Sequence, residues 1–258
     1  MSLFLSGFVT FKKRTCGVGR TIYPDNLRTF STVADTSKAF NTGRLDARFF
    51  APRIQVLLDI LSGSGRKVGD VARPRREKFR PANCSFFNYI EIGDIDGAGS
   101  ATSSLLDCKK APSRAVWHVR PGDIITSTVR PIRRLTAQIG SEQDGYVCSS
   151  GFVVVQPHDI SPEVLLTFLR LPVICELLDL YASASMYPAI TDEDIFNLPL
   201  PHISDEMTEQ VTQNVNEAKE AKAGAAKILE AAKKAVDIAI EHGESAALAY
   251  LYQSNEAI

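Results

Sequence analysis

The chain has 258 residues, of which 45% are hydrophobic and 23% charged, and its net charge is −1. This composition is that of an ordinary globular chain, long enough to bury a core without disulfide or metal staples. Charge is spread unevenly: residues 201–258 hold five lysines against ten acidic residues, a balance of −5, which leaves +4 for residues 1–200. A mildly basic body with an acidic extension is compatible with a nucleic-acid partner that touches only the body.

The five cysteines, Cys16, Cys84, Cys108, Cys148 and Cys175, are odd in number and never in CxxC spacing. Small buried thiols in a reducing compartment are therefore expected, in place of metal ligands or disulfides. The opening MSLFLSGFVTF has no basic residue ahead of its apolar run and is followed by KKR, so it does not read as a secretory signal. No stretch approaches the ~18 apolar residues of a membrane span. A cytoplasmic protein with no membrane partner is expected.

Residues 1–43 form a lead-in with Gly, Pro and Asn breakers and no sustained period, read as partly extended with one or two short strands. A helix is predicted over 45–61, where Phe49, Ile54, Leu57, Leu58 and Leu61 fall at helical spacing. Pro52 suits its first turn and Gly63 its end. Residues 86–157 read as β: short runs rich in Val, Ile, Thr and aromatics are separated by DG and PGD turn signals. That density predicts one curled, partly closed sheet of mixed or antiparallel strands, with flanking helices, so the fold class is α+β. Residues 161–182 follow as a helix capped by Ser161, with Pro162 and Glu163 in its first turn and Pro172 bending or interrupting it. A short helical turn near 192–195 and a Pro-bracketed strand at 198–201 close the body.

Beyond Pro201 there is no proline, and Met207, Val211, Val215, Ala218, Ala225, Ile228, Ala232, Val236 and Ala239 recur every three or four residues. This predicts one long amphipathic helix over 202–242, about 60 Å long at 1.5 Å per residue. Its narrow, Ala-rich stripe calls for close, coiled-coil-like pairing with another helix. Residues 243–258 are read as a tail.

These segments resemble, in order, the specificity subunits of type I restriction–modification systems. RLDARFFAPR (44–53) with KVGDVA (67–72) resembles the entrance of the family's target recognition domain, and YIEIGDID (89–96) its first core strand. VRPGDIITSTVRP (119–131) resembles the strand–turn–strand segment, and CSSGFVVVQP (148–157) with SPEVLLTFLR (161–170) the next strand and helix. YPAITDEDIFNLPLP (187–201) resembles the exit, and the Ala/Lys/Glu run from 203 the spacer helix. The resemblance covers roughly residues 44–242, so 44–201 corresponds to one recognition domain and 202–242 to one spacer helix.

The resemblance implies a non-catalytic subunit that reads one half of a split double-stranded DNA target. Full-length members carry two recognition domains and two spacers, where this chain has one of each. Pairing of two copies through antiparallel helices would then generate a symmetric bipartite target. The resemblance also implies a DNA adenine methyltransferase partner and a possible restriction/translocase partner. S-adenosylmethionine, and ATP with Mg, belong on those partners, and no cofactor or metal is expected here. The competing reading is a coiled-coil adaptor that organises an assembly without reading DNA.

Phosphate contacts need Lys or Arg, and base reading needs polar side chains on loops that reach a groove. One candidate cluster is Arg73, Arg75, Arg76, Lys78 and Arg80. A second is Arg130, Arg133 and Arg134 beside Ser127 and Thr128, where Pro131 halts the strand. A third is the polar loop with Ser183, Ser185 and Tyr187. Each also reads as a solvated turn or connection. Enzyme readings are weaker: Cys148 sits in a core-like strand with no supporting His motif, and GDIDGAGS lacks the spacing of a calcium loop.

Overall fold

The structure, a computed structural model, describes residues 8–12, 31–182 and 189–255. The chain divides into two compact units, Met1–Ile203 and Ser204–Ile258.

In the first unit, β1 (Phe8–Lys12) and β2 (Ser31–Asp35) pair in parallel. α1 (Thr36–Thr42) follows, and its Ala39 joins Phe49 and Phe50 in a small core against Leu58 and Tyr181. α2 (Pro52–Leu61) begins at the proline, whose missing N–H has no helical partner to lose there, and it buries Ile54 and Leu61. β3 (Arg66–Lys67), α3 (Val68–Val71) and β4 (Ala72–Pro74) come next without a break.

Short strands then dominate: β5 (Phe86–Ile90), β6 (Ser104–Asp107), β7 (Ala115–His118), β8 (Ile124–Ser127), β9 (Thr136–Gln138), β10 (Val147–Ser149) and β11 (Phe152–Pro157). They do not build the single curled sheet that the sequence predicts. They form two separate four-stranded sheets, one in the order β6-β5-β10-β7 and mixed, the other in the order β4-β11-β8-β9 and antiparallel. The reason is local. Only Ser150 and Gly151 separate β10 from β11, so the chain leaves one sheet and enters the other in a single turn. Strands this short end before continuous pairing can carry one sheet around to itself.

One core lies under both sheets. Ile90 and Cys148 from the first meet Ile125, Ala137, Phe152 and Val154 from the second, all nearly inaccessible to solvent. β11 is central in its sheet, and Phe152–Val155 is buried on both faces, which explains its unbroken apolar run.

α4 (Pro162–Arg170) packs on β8 and β9. Ser161 caps it by accepting a hydrogen bond from the Val164 N–H at 3.4 Å. Pro172 opens a new helix, α5 (Pro172–Tyr181), with Leu171 between the two as an extended joint. Leu165, Leu169, Ile174 and Leu177 are each at most 1% exposed, burial worth about 1.5–3 kcal/mol per side chain. α6 (Asp192–Phe196) and β12 (Pro199–Leu200) complete the unit, β12 pairing antiparallel with β3.

The cysteine expectation needs correction: Cys84 and Cys108 form a disulfide that joins the start of β5 to the end of β6. Antiparallel pairing of those strands sets Phe86 opposite Asp107, which brings the cysteines just beyond the ladder together. Cys148 and Cys175 are free and buried, and burial raises both thiols above their ordinary pKa.

The second unit is a helical hairpin. α7 (Asp205–His242) runs 38 residues from a Ser204 cap, whose hydroxyl accepts from the Met207 N–H at 3.2 Å. Residues 243–258 carry a further helix, α8 (Glu244–Asn255), where a tail is expected from sequence. Gly243, at φ 89°, makes the reversal in a backbone region that other residues rarely adopt. α8 packs back on α7, burying Ala235 and Ala247 and placing Lys234 over the Tyr250 ring.

Candidate nucleic-acid interface

The most distinctive surface of the first unit is the turn that follows β8. Arg130 (φ 50°) and Arg134 (φ 60°) are the only non-glycine residues with positive φ among the described residues. They bracket a 3-10 turn, Pro131–Arg133. Each left-handed residue of this kind costs on the order of 1–3 kcal/mol and persists only when its surroundings hold it.

Those surroundings are well defined. Thr128 N–H donates to the Gly151 carbonyl at 2.9 Å, and Ile190 N–H donates to the Thr128 carbonyl at 3.0 Å. Val129 bridges Ala189 across an antiparallel contact. Arg133 N–H donates to Arg130 O, and Arg134 N–H to Pro131 O, closing the turn from within. Pro131 is buried, whereas Ile132 at the tip is 52% exposed.

The three arginines differ in role. Arg134 Nε donates to the Arg170 carbonyl at 2.9 Å, so its side chain is an anchor. The guanidinium groups of Arg130 and Arg133 are exposed and have no hydrogen bond or ion pair among the described residues. Ser127 is 4% exposed and its hydroxyl donates to Val129 O, which removes it from contact with a ligand. Thr128 is half-buried and its hydroxyl donates to Gly151 O at 3.0 Å. Ser183, Ser185 and Tyr187 lie outside the described residues.

The basic run at 73–80 is divided by its partners. Arg75 is drawn inward to Asp123, while Arg73 stays exposed and donates to Gln156 Oε1 at 3.1 Å. Arg76 pairs with Asp192 at 2.6 Å, and both Arg76 and Lys78 lie over the Trp117 ring at 5.8 and 6.0 Å. Arg80 is exposed just ahead of the 3-10 turn Pro81–Asn83. His118 is half-buried, with its Nδ1 3.0 Å from Gly145 O and its ring edge-on to Phe79.

Of the helix stripe named from sequence, Met207, Ile228 and Val236 are 54%, 55% and 59% exposed. Ala218, Ala225 and Ala232 are exposed, and Val211, Val215 and Ala239 are half-buried. The face that α8 covers is centred on Ala235, which is not in that stripe, and it adjoins the stripe at the half-buried Ala239, one turn further on. Sequence reasoning missed Arg170 and Ile132. Three positively charged residues in five drew attention to 130–134, but nothing local marks an arginine 36 residues later as its anchor.

Among the described residues, no group of three or more His, Cys, Asp or Glu is placed to hold a metal ion. Among the same residues, no helix is long and apolar enough to cross a membrane.

No protein-family model matches the chain. It is 26% identical over 147 residues to the type I restriction enzyme HindI specificity subunit of Haemophilus influenzae, covering 55% of this chain and 32% of that one. The HsdS subunit from Thermoanaerobacter tengcongensis superposes with a TM-score of 0.52 at 28% identity, over 67% of this chain and 46% of that one. A chain from a structure of complex assembly and conformational transition in the type I R-M system superposes with a TM-score of 0.50, also at 28% identity. That match covers 68% of this chain and 45% of the other. The chain spans about a third of the curated relative's length and under half of each solved chain. In sequence and in fold, then, it is similar to the specificity subunits of type I restriction enzymes.

Proposed function

We infer that this chain is a non-catalytic DNA-reading module of a type I restriction–modification complex, one that contacts half of a bipartite duplex target. The observation that carries the reading is the 130–134 turn: two exposed guanidinium groups, on Arg130 and Arg133, with no hydrogen bond or ion pair among the described residues, held on a constrained backbone. Exposed cations on a constrained backbone suit phosphate contacts and bidentate contacts to guanine. Similarity to specificity subunits supports the same role. Arg73, Lys78 and Arg80 supply further exposed charge for the DNA backbone, while Arg75 does not.

In this reading α7, about 57 Å long at 1.5 Å per residue, sets the spacing between half-sites. Its exposed stripe pairs with the same stripe of a second copy. The methyltransferase subunit, and a restriction subunit where present, bring S-adenosylmethionine and ATP with Mg.

The test is titration of a mixed-sequence duplex with the full chain over a range of salt concentrations. Arg130→Ala/Arg133→Ala should bind more weakly and shift the slope of log K against log salt by about 0.9 for each phosphate that the variant no longer neutralises. An unchanged slope would remove this turn from the interface.

A further inference from the structure

The geometry points to Arg170 as the positioning residue of the reading turn, gripping it through a half-buried guanidinium that itself never meets DNA. This rests on the reading that the 130–134 turn contacts DNA.

Arg170 ends α4, and its Nη1 donates to the Arg134 carbonyl at 3.0 Å and to the Thr136 carbonyl at 2.8 Å. Nη2 donates to the Gly97 carbonyl. In return the Arg170 carbonyl accepts from Arg134 Nε at 2.9 Å. Two like-charged residues are therefore tied to each other's backbones, side chain to carbonyl in both directions. Like charge and burial disfavour this placement: desolvation, then the neighbouring Arg134 charge, lowers the Arg170 pKa. The nearby Asp96 charge favours the cation, and its flat fork of donors spans three carbonyls on two segments, 134–136 and 97. A lysine ammonium, a point charge on a flexible stem, does not reproduce that fork.

The segment that carries Gly97 gives a role to the GDIDGAGS stretch, which neither metal binding nor catalysis explains. Asp96 Oδ1 accepts from the N–H groups of Ala98 and Ser100 at 2.8 and 2.9 Å, folding residues 96–100 into a tight turn. Gly99, at φ +88°, lies against the guanidinium. A Cβ there would stand 3.2 Å from Arg170 Nε and 3.3 Å from Cδ and Cζ. The turn closes on Arg170 because position 99 has no side chain. Its far side is fixed to the sheet where Gln138 N–H donates to the Gly99 carbonyl at 3.3 Å. Arg170 is thus the pin of a three-part clamp, with 96–99 as the backing plate and 130–134 as the part held.

A clamp of this kind acts on selectivity more than on attraction. With the clamp loosened, Arg130 and Arg133 keep their charge and still meet phosphates, but they no longer arrive at base edges in one orientation. The experiment incubates the full chain with a pool of randomised duplexes and sequences the bound fraction. Affinity for the unselected pool, its salt slope and the thermal midpoint are measured on the same samples. For Arg170→Lys, the pool affinity and salt slope should stay near wild type, while enrichment of the preferred sequence falls about tenfold or more, the discrimination that one good bidentate base pairing supplies. Gly99→Ala, which pushes on the guanidinium without changing any charge, should give the same split.

Undiminished enrichment in both variants, with wild-type enrichment intact, overturns the clamp and leaves the DNA-reading proposal standing. A wild-type chain that binds no duplex overturns the DNA-reading proposal itself. Loss of the thermal midpoint in both variants makes Arg170 a folding residue and also overturns the clamp.

Discussion

Arg75 and Asp123 form a two-point ion pair inside the first unit: Nε and Nη2 of the arginine lie 2.5 and 3.0 Å from the two carboxylate oxygens of an aspartate that is 1% exposed. The Arg120 backbone N–H adds a third hydrogen bond to the same carboxylate at 2.8 Å. Breaking such a pair from one side leaves a buried charge uncompensated, at a cost of about 3–5 kcal/mol. Arg75→Ala should therefore lower the urea midpoint steeply, while Arg73→Ala, at an exposed side chain that meets Gln156, should change stability by less than about 0.5 kcal/mol. Equal midpoints for the two variants would show that Arg75 is as dispensable to the fold as its neighbour.

Next to that pair, Glu77 accepts from Nε and Nη2 of Arg120, and Arg120 also reaches Asp144 at 3.3 Å. The hydrogen bond from Arg120 is the main reason the Glu77 carboxyl sits below its ordinary 4.5, with the Arg120, His118 and Arg75 charges adding to it. The folded state thus holds this proton more weakly than the unfolded chain. The associated stability is present in full above 4.5 and is lost as pH falls through the lowered folded value. Glu77 is 40% exposed, so solvent and salt screen the pair and the contribution is modest. In Glu77→Gln the decline of the urea midpoint below pH 4.5 should be shallower than in wild type. Parallel acid limbs would mean that the pair does not couple to folding.

These pairs also mark what a linear reading of the chain reaches. Features set by neighbours along the chain are legible. Pro52 and Ser161–Pro162 start helices, Pro172 divides one, and the unbroken run after Pro201 becomes α7. Features set by distant partners are not. Arg73, Arg75 and Arg76 look alike in a basic run, and only Gln156, Asp123 and Asp192 give them separate roles. The division of β10 and β11 between two sheets depends on pairing with distant strands, from Phe152 with Ser127, 25 residues apart, to Pro157 with Ala72, 85 apart. Cys84 and Cys108 are 24 residues apart and have no spacing motif, so only the β5–β6 ladder brings them together. α8 escaped notice because its apolar residues lie all around it, with no stripe to mark a helix.

Consecutive residues on α7 separate its two apolar faces, which allows the hairpin and the proposed pairing of two copies to be tested apart. Ala235 is 5% exposed under α8, and Val236, turned by about 100° around the helix, is 59% exposed on the stripe. Ala235→Glu places a charge at a buried position of the helix on which α8 packs and should release α8. The α8 amides would then exchange quickly in hydrogen-exchange measurements, while the sedimentation mass of the pair persists. Val236→Glu places its charge on the stripe and should leave the α8 amides protected while the mass falls to that of a single chain. Helices that pack through small residues approach closely, so a carboxylate at such a seam has neither room nor water. A Val236→Glu protein that still sediments as a pair would move the interface off this stripe. The exposed Leu248, Leu251 and Tyr252 of α8 would then be the next surface to change.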